Sequence, residues 1–170
     1  MSRSPGPVYR RSIPLLFSVV ALGSVVPACT DSGMNTDPYG PVNCAEETRA
    51  DDFVVGLSKV GDGNLLDFTL MTADPAPPAR GDNTWVLQIN QMTNGVDGAA
   101  VDGASMTVSP FMPDHGHPSG KTVIVTPNGT AGQYELAPVN LWMPGLWETT
   151  IDATTSAGDD TVVFRFCIPS

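Results

Sequence analysis

The chain contains two histidines, His115 and His117, one residue apart within Phe111-Met112-Pro113-Asp114-His115-Gly116-His117-Pro118. Gly116 and the flanking prolines place them on a connecting segment, where functional side chains concentrate. A second methionine followed by proline occurs in Trp142-Met143-Pro144-Gly145. Imidazole nitrogen and thioether sulfur together make a soft-to-borderline donor set, which suits Cu(I) far better than Mg²⁺ or Ca²⁺. Met112, His115, His117 and Met143 could supply up to four such donors, with Asp114 orienting a histidine from outside the metal's own ligands. The same residues have a structural reading. A His-Gly-His turn can brace itself on backbone groups, and methionine most often fills gaps in a core. Both readings stay open at the level of sequence.

Other chemistries find little footing. There is no Gly-x-Ser-x-Gly elbow, and no serine shows a base partner in sequence. Acidic residues are plentiful but gather in turns, where Asp and Asn are expected on conformational grounds. Asp62-Gly63-Asn64 and Asp97-Gly98 do not extend into a calcium loop. Neither a phosphate loop nor a dinucleotide fingerprint is present. The expectation is a protein that is not an enzyme.

The elements that must position the loop read as strands, since no stretch beyond ten residues keeps helical apolar spacing free of Pro or Gly. Phe53, Val55 and Leu57 alternate, Gly61-Asp62-Gly63 turns the chain, and Leu66, Phe68 and Leu70 return as a hairpin. Asp74-Pro75-Ala76-Pro77-Pro78 is a connection, because proline brings no N–H to a ladder. Trp85, Leu87 and Ile89 share a face in the next strand. Asp97-Gly98 and Asp102-Gly103 are read as turns leading to Met106 and Val108. Further strands are expected over residues 122–126, 133–136, 146–151 and 161–167, with Trp147, Thr149 and Ile151 on one face and Val162, Phe164 and Phe166 on another. Seven to eight short strands with turns about every ten residues describe an all-β, immunoglobulin-like antiparallel β-sandwich. Trp85, Trp147 and Phe164 would bury much of its core area.

Several of these motifs, taken in order, resemble the YtkA-like domain, related to the FixH/CcoH proteins of cytochrome oxidase assembly. The resemblance runs over residues 81 to about 153. It rests on Gly81-Asp82-Asn83-Thr84-Trp85 opening a strand, the Asp97-Gly98 turn, Ala104, Met112-Pro113 with its histidine loop, Gly132-Gln133-Tyr134, and Met143-Pro144-Gly145-Leu146-Trp147-Glu148. It implies an exported immunoglobulin-like sandwich linked to copper or to respiratory-complex assembly. The partner would then be an envelope or respiratory-complex protein.

Export is also expected from the first residues. Arg3, Arg10 and Arg11 precede an apolar run over 13–26, and no acidic residue occurs before Asp31. That run is shorter than the ~20 residues of a membrane-spanning helix and reads as a signal-peptide core. It ends at Val26-Pro27-Ala28-Cys29, which resembles the lipobox of bacterial lipoproteins, whose cysteine is acylated and becomes the mature N-terminus. The expected organisation is a signal peptide at 1–28, a flexible tether at 29–42 and a sandwich at 43–170. Thr30, not aspartate, follows Cys29, so a periplasm-facing protein anchored in the outer membrane is favoured. Loss of residues 1–28 leaves five basic against eighteen acidic residues, a formal charge of −13. Such a body repels nucleic acid and anionic headgroups, and the membrane is reached through the lipid. Cys44 and Cys167 remain, and in an oxidising compartment two such cysteines most simply pair.

Overall fold

The computed structural model describes residues 41–170. The signal segment, Cys29 and all but the last residues of the tether lie outside the described residues. A short 3-10 turn, Cys44–Glu46, is followed by ten strands and no α-helix among the described residues. The strands are β1 (Leu57–Val60), β2 (Leu66–Asp74), β3 (Gly81–Thr93), β4 (Val96–Ala100) and β5 (Ser105–Met112). After them come β6 (His117–Pro118), β7 (Ile124–Pro127), β8 (Gln133–Leu141), β9 (Gly145–Thr155) and β10 (Gly158–Ile168). One sheet runs β1-β2-β3-β8-β7, with β4 pairing the far end of β3; the other runs β10-β9-β5-β6. Every pairing is antiparallel.

Period-two alternation explains why these segments become strands that bury one face. In β10, Val162, Phe164, Phe166 and Ile168 are buried while the residues between them are half-exposed. In β9, Trp147, Thr149, Ile151 and Ala153 point inward. The facing sheet answers with Leu66, Phe68, Leu70, Trp85, Leu87, Ile89 and Leu136, so one core lies between the two sheets. Trp85 meets Phe166 edge-on across that core, at 5.5 Å between centroids and 89° between planes, a favourable aromatic geometry. The fold is the expected all-β antiparallel sandwich, and the expected Cys44–Cys167 disulfide is present. It closes a sequence separation of 123 residues, tying the start of the domain to its last strand. A loop of that length is worth about 4–5 kcal/mol in the chain-entropy account.

Four expectations need correction. Ten strands form where seven or eight were expected, because β4 and the two-residue β6 carry little periodicity of their own. Phe53 and Val55 are not in a strand: Val55 is exposed, and Gly56, with φ +84°, turns the chain so that its N–H reaches Leu70 O at 2.8 Å. Asp97-Gly98 lies inside β4, and the turn before it is Asn94-Gly95, with φ of 54° and 76°. Two consecutive left-handed residues are what a two-residue hairpin requires, and Asn-Gly is the dipeptide that adopts them at least cost. Finally, the histidine segment is less a free loop than a hairpin. Met112 pairs with His117 and Phe111 with Pro118, leaving residues 113–116 as the turn.

Candidate functional site: the histidine hairpin and the neighbouring Trp-Met turn

The β5–β6 hairpin places its two imidazoles side by side. His115 and His117 are each half-buried, with ring centroids 5.8 Å apart and planes at 79°. The turn is closed by the His115 and Gly116 N–H groups, which donate to Met112 O at 3.2 and 2.8 Å. Gly116 has φ +68°, a conformation that favours glycine at the apex. His117 Nδ1 lies 3.1 Å from Pro118 O. A carbonyl oxygen only accepts, so this contact requires the proton on Nδ1 and leaves the Nε2 lone pair of the neutral ring available.

The turn between β8 and β9 brings Trp142 and Met143 to the same place. Trp142, 44% exposed, stacks on His117 at 5.3 Å and 26°. The buried Trp147 approaches His117 edge-on at 6.1 Å, and its indole N–H donates to Met143 O at 2.9 Å. Arg80 Nε donates to Trp142 O at 2.9 Å and fixes the other side of the turn. Met143 is half-buried and packs against the core. Met112 is wholly buried, and its terminal methyl occupies the space where a Cβ on Gly145 would stand.

The fifth expected residue, Asp114, takes its hydrogen bonds from Arg49. Arg49 Nη1 and Nη2 donate to Asp114 Oδ1 and Oδ2, both at 2.7 Å, while Nε and Nη2 donate to Glu47 at 2.9 and 2.6 Å. The Arg49 guanidinium holds the Asp114 carboxyl below the usual range, and the charge of nearby His115 acts in the same direction. Glu47 is lowered chiefly by its hydrogen bond from Arg49 as well. This fork ties residues 47–49 to the turn. Beside it is a cleft of about 440 Å³ bordered by Met112, His115, Gly145, Cys167 and the 42–47 segment.

The structure thus brings His115, His117 and the Met143 turn together, keeps Met112 beneath them in the core, and gives Asp114 to Arg49. Sequence reasoning missed Trp142 and Arg49 as parts of the site. Trp142 was adjacent to a motif already noted, whereas nothing in the sequence pointed from Arg49 to Asp114. Among the described residues no group of three or more His, Cys, Asp or Glu gathers as a metal site. A metal here would therefore draw on thioether as well as imidazole, which favours a soft ion. The imidazole spacing fits one. With a metal–nitrogen bond of about 2 Å, two rings on one ion have centroids up to roughly 6 Å apart.

Comparison with known proteins adds a family. The YtkA-like sequence pattern matches residues 63–152, more than half of the chain. No curated protein sequence matches it. Among solved structures, FetP of uropathogenic Escherichia coli strain F11 in its "as isolated" form is similar at TM-score 0.44 and 11% identity, over 68% of this chain and 95% of that one. A copper-bound E46Q variant of the same FetP gives TM-score 0.43 and 12% identity, over 67% and 95%. The matched residues run from the β1–β2 turn into β9 and include the histidine hairpin and the Trp142-Met143 turn, and the chain belongs to the YtkA-like family.

Proposed function

We propose that the protein is an exported, lipid-anchored accessory module of the cell envelope that binds Cu(I) at the histidine hairpin and is not an enzyme. The observation that carries this reading is the state of His117. Its Nδ1 lies 3.1 Å from the Pro118 carbonyl oxygen, a contact that calls for the proton on Nδ1 and leaves Nε2 as the basic nitrogen of the neutral ring, with His115 at 5.8 Å between centroids. Met143, half-buried on the turn whose tryptophan stacks on His117, is the less buried of the two candidate thioethers. Met112 would reinforce the set only if the core beneath the hairpin yields.

Because Trp142 and Trp147 flank His117 at 5.3 and 6.1 Å, binding should be visible in indole fluorescence. Anaerobic titration of the soluble domain with Cu(I) is expected to quench emission to saturation at one equivalent. His115→Ala/His117→Ala should weaken binding at least about tenfold, the usual scale for loss of a metal-supporting group. Equal, negligible responses from both proteins would remove the copper reading. A metal-free docking protein is the second reading, favoured by the exposure of Trp142 beside a half-buried histidine pair. Its partner would be an envelope or respiratory-complex protein.

The anchor is tested separately. Detergent partitioning should place the native protein in the lipid-rich phase and a Cys29→Ser variant in the aqueous phase. Unchanged partitioning would refute acylation, and with it the outer-membrane placement.

A further inference from the structure

The two long sides of the sandwich are finished differently. On one, Asp62 N–H donates to Thr161 O at 2.9 Å and Lys59 Nζ to Val163 O at 2.8 Å, so β1 and β10 close on each other. On the other, β7 is the last strand of its sheet and pairs with β8. No strand lies beyond it among the described residues. Its outer side borders an open groove of about 450 Å³, shared with residues 103–106.

Register fixes which backbone groups this edge presents. Ile124 lies opposite Ala137 and Thr126 opposite Glu135, and Asn128 N–H continues the same ladder to Gln133 O at 3.1 Å. Backbone groups of successive strand residues point to opposite sides. Ile124 and Thr126 therefore bond to β8, while Val125 directs its N–H and C=O outward. Pro127 directs outward only a carbonyl. Side chains alternate between the faces: Val125 packs on the core, Ile124 is 57% exposed and Thr126 is exposed.

Charge decides what can lie there. Residues 41–170 hold sixteen acidic side chains against five basic ones. Each basic side chain is already held within the chain: Arg49 by Glu47 and Asp114, Lys59 by Asp51, Lys121 by Asp82, Arg165 by Glu148, and Arg80 by the Trp142 carbonyl. Two copies thus repel over most of their surface. Residues 103–113 and 122–134, which include β7 and its groove, carry no charged side chain. A cationic partner is drawn to the acidic surface instead. The uncharged edge suits a strand that is itself uncharged and rich in β-branched residues, and Thr122-Val123-Ile124-Val125-Thr126 is such a strand.

We propose that β7 pairs antiparallel with β7 of a second copy, across a two-fold axis at Val125, so that two sheets become one. Val125 N–H donates to the partner copy's Val125 carbonyl, and symmetry supplies the reverse bond. Ile124 then stands beside the partner copy's Thr126 on the outer face and loses its exposure. Pro127 has no N–H to add and ends the ladder, which keeps the contact short. Glu135 is the nearest acid in register. Its symmetry mate is at least three strand spacings away, roughly 14 Å, beyond the ~8 Å screening length at physiological salt.

The test uses metal-free protein from residue 29 to residue 170 with Cys29→Ser, so that neither lipid nor copper drives association. A contact this short implies weak pairing, so sedimentation is followed from about 10 μM to about 1 mM. Mass should rise from monomer to dimer across that range, and Ile124→Lys should raise the dissociation constant at least about tenfold, a lysine being the residue that blunts an edge. Hydrogen exchange of the unmutated protein locates the contact and does not depend on a variant folding. The Val125 amide should become protected as concentration rises, while the Ile124 and Thr126 amides, bonded to β8, should be protected throughout. A monomer at every concentration would overturn the proposal. So would a dimer whose formation leaves Val125 exchange unchanged.

Discussion

Asp160, near the start of β10, is 4% exposed, and its carboxylate accepts four backbone N–H groups: Gly63 at 2.6 Å, Leu65 at 2.9 Å, Leu66 at 3.0 Å and Thr161 at 2.9 Å. Gly61 passes so close to this carboxylate that no side chain fits there. Burial on its own would raise the Asp160 pKa, but the four donors outweigh it and hold the carboxyl below the ordinary range. A depressed folded-state pKa adds stability above the unfolded value of about 4, and that stability is lost as pH falls through the folded pKa. Asp160→Asn should therefore cost about 2–3 kcal/mol at neutral pH by urea unfolding and should flatten the loss of stability as pH falls below about 4. An unchanged acid limb would contradict this assignment. The Gly61-Asp62-Gly63 turn was legible in the sequence, but the carboxylate that fills it was not, because the contact joins residues 97 apart. The same holds at the site. Two imidazoles one residue apart announce themselves, whereas the indole stacked on His117 comes from a turn about 25 residues on, through a pairing that local pattern does not encode.

Strands were the legible elements wherever one face is buried. The Trp85-Leu87-Ile89 and Val162-Phe164-Phe166 alternations both became inward faces, since period two and a single core admit only one arrangement. Edge elements escaped, because β4 is exposed along its whole length and β6 has two residues. Asn94-Gly95 could have been found, as it is the strongest short hairpin signal; the nearby Asp-Gly dipeptides drew the turn downstream. The β8–β9 turn is the element that most directly shapes the site. Gly145 has φ +127°, and the Met112 methyl fills its missing Cβ position. Gly145→Ala adds left-handed strain and displaces a core methionine at once, so a loss of about 1–3 kcal/mol is expected by thermal or denaturant unfolding. The near-ultraviolet circular dichroism of Trp142 and Trp147 should change with it. A variant of native stability and unchanged tryptophan signal would mean that the turn and β5 are not coupled in this way.

At the scale of the described domain, the sandwich protects its borders and concentrates its unusual chemistry at one place. The free edge of β10 is covered by Asp51, whose N–H donates to Arg165 O at 2.7 Å and whose carboxylate accepts the Arg165 N–H at 2.7 Å. Lys59 Nζ donates to Val163 O at 2.8 Å. Covering an edge in this way blocks strand addition from a second chain. Class and core were legible because composition and periodicity report burial. Sheet order was not, since β3–β8 and β5–β9 join segments far apart in sequence. What gives the molecule its proposed role is the meeting of the histidine hairpin with the Trp142-Met143 turn. X-ray absorption at the copper edge of the Cu(I)-loaded oxidised domain tests that meeting most directly. Nitrogen neighbours at about 2.0 Å and at least one sulfur at about 2.3 Å are predicted, all lost in His115→Ala/His117→Ala. Copper washed out by desalting, or held by oxygen neighbours alone, would contradict it.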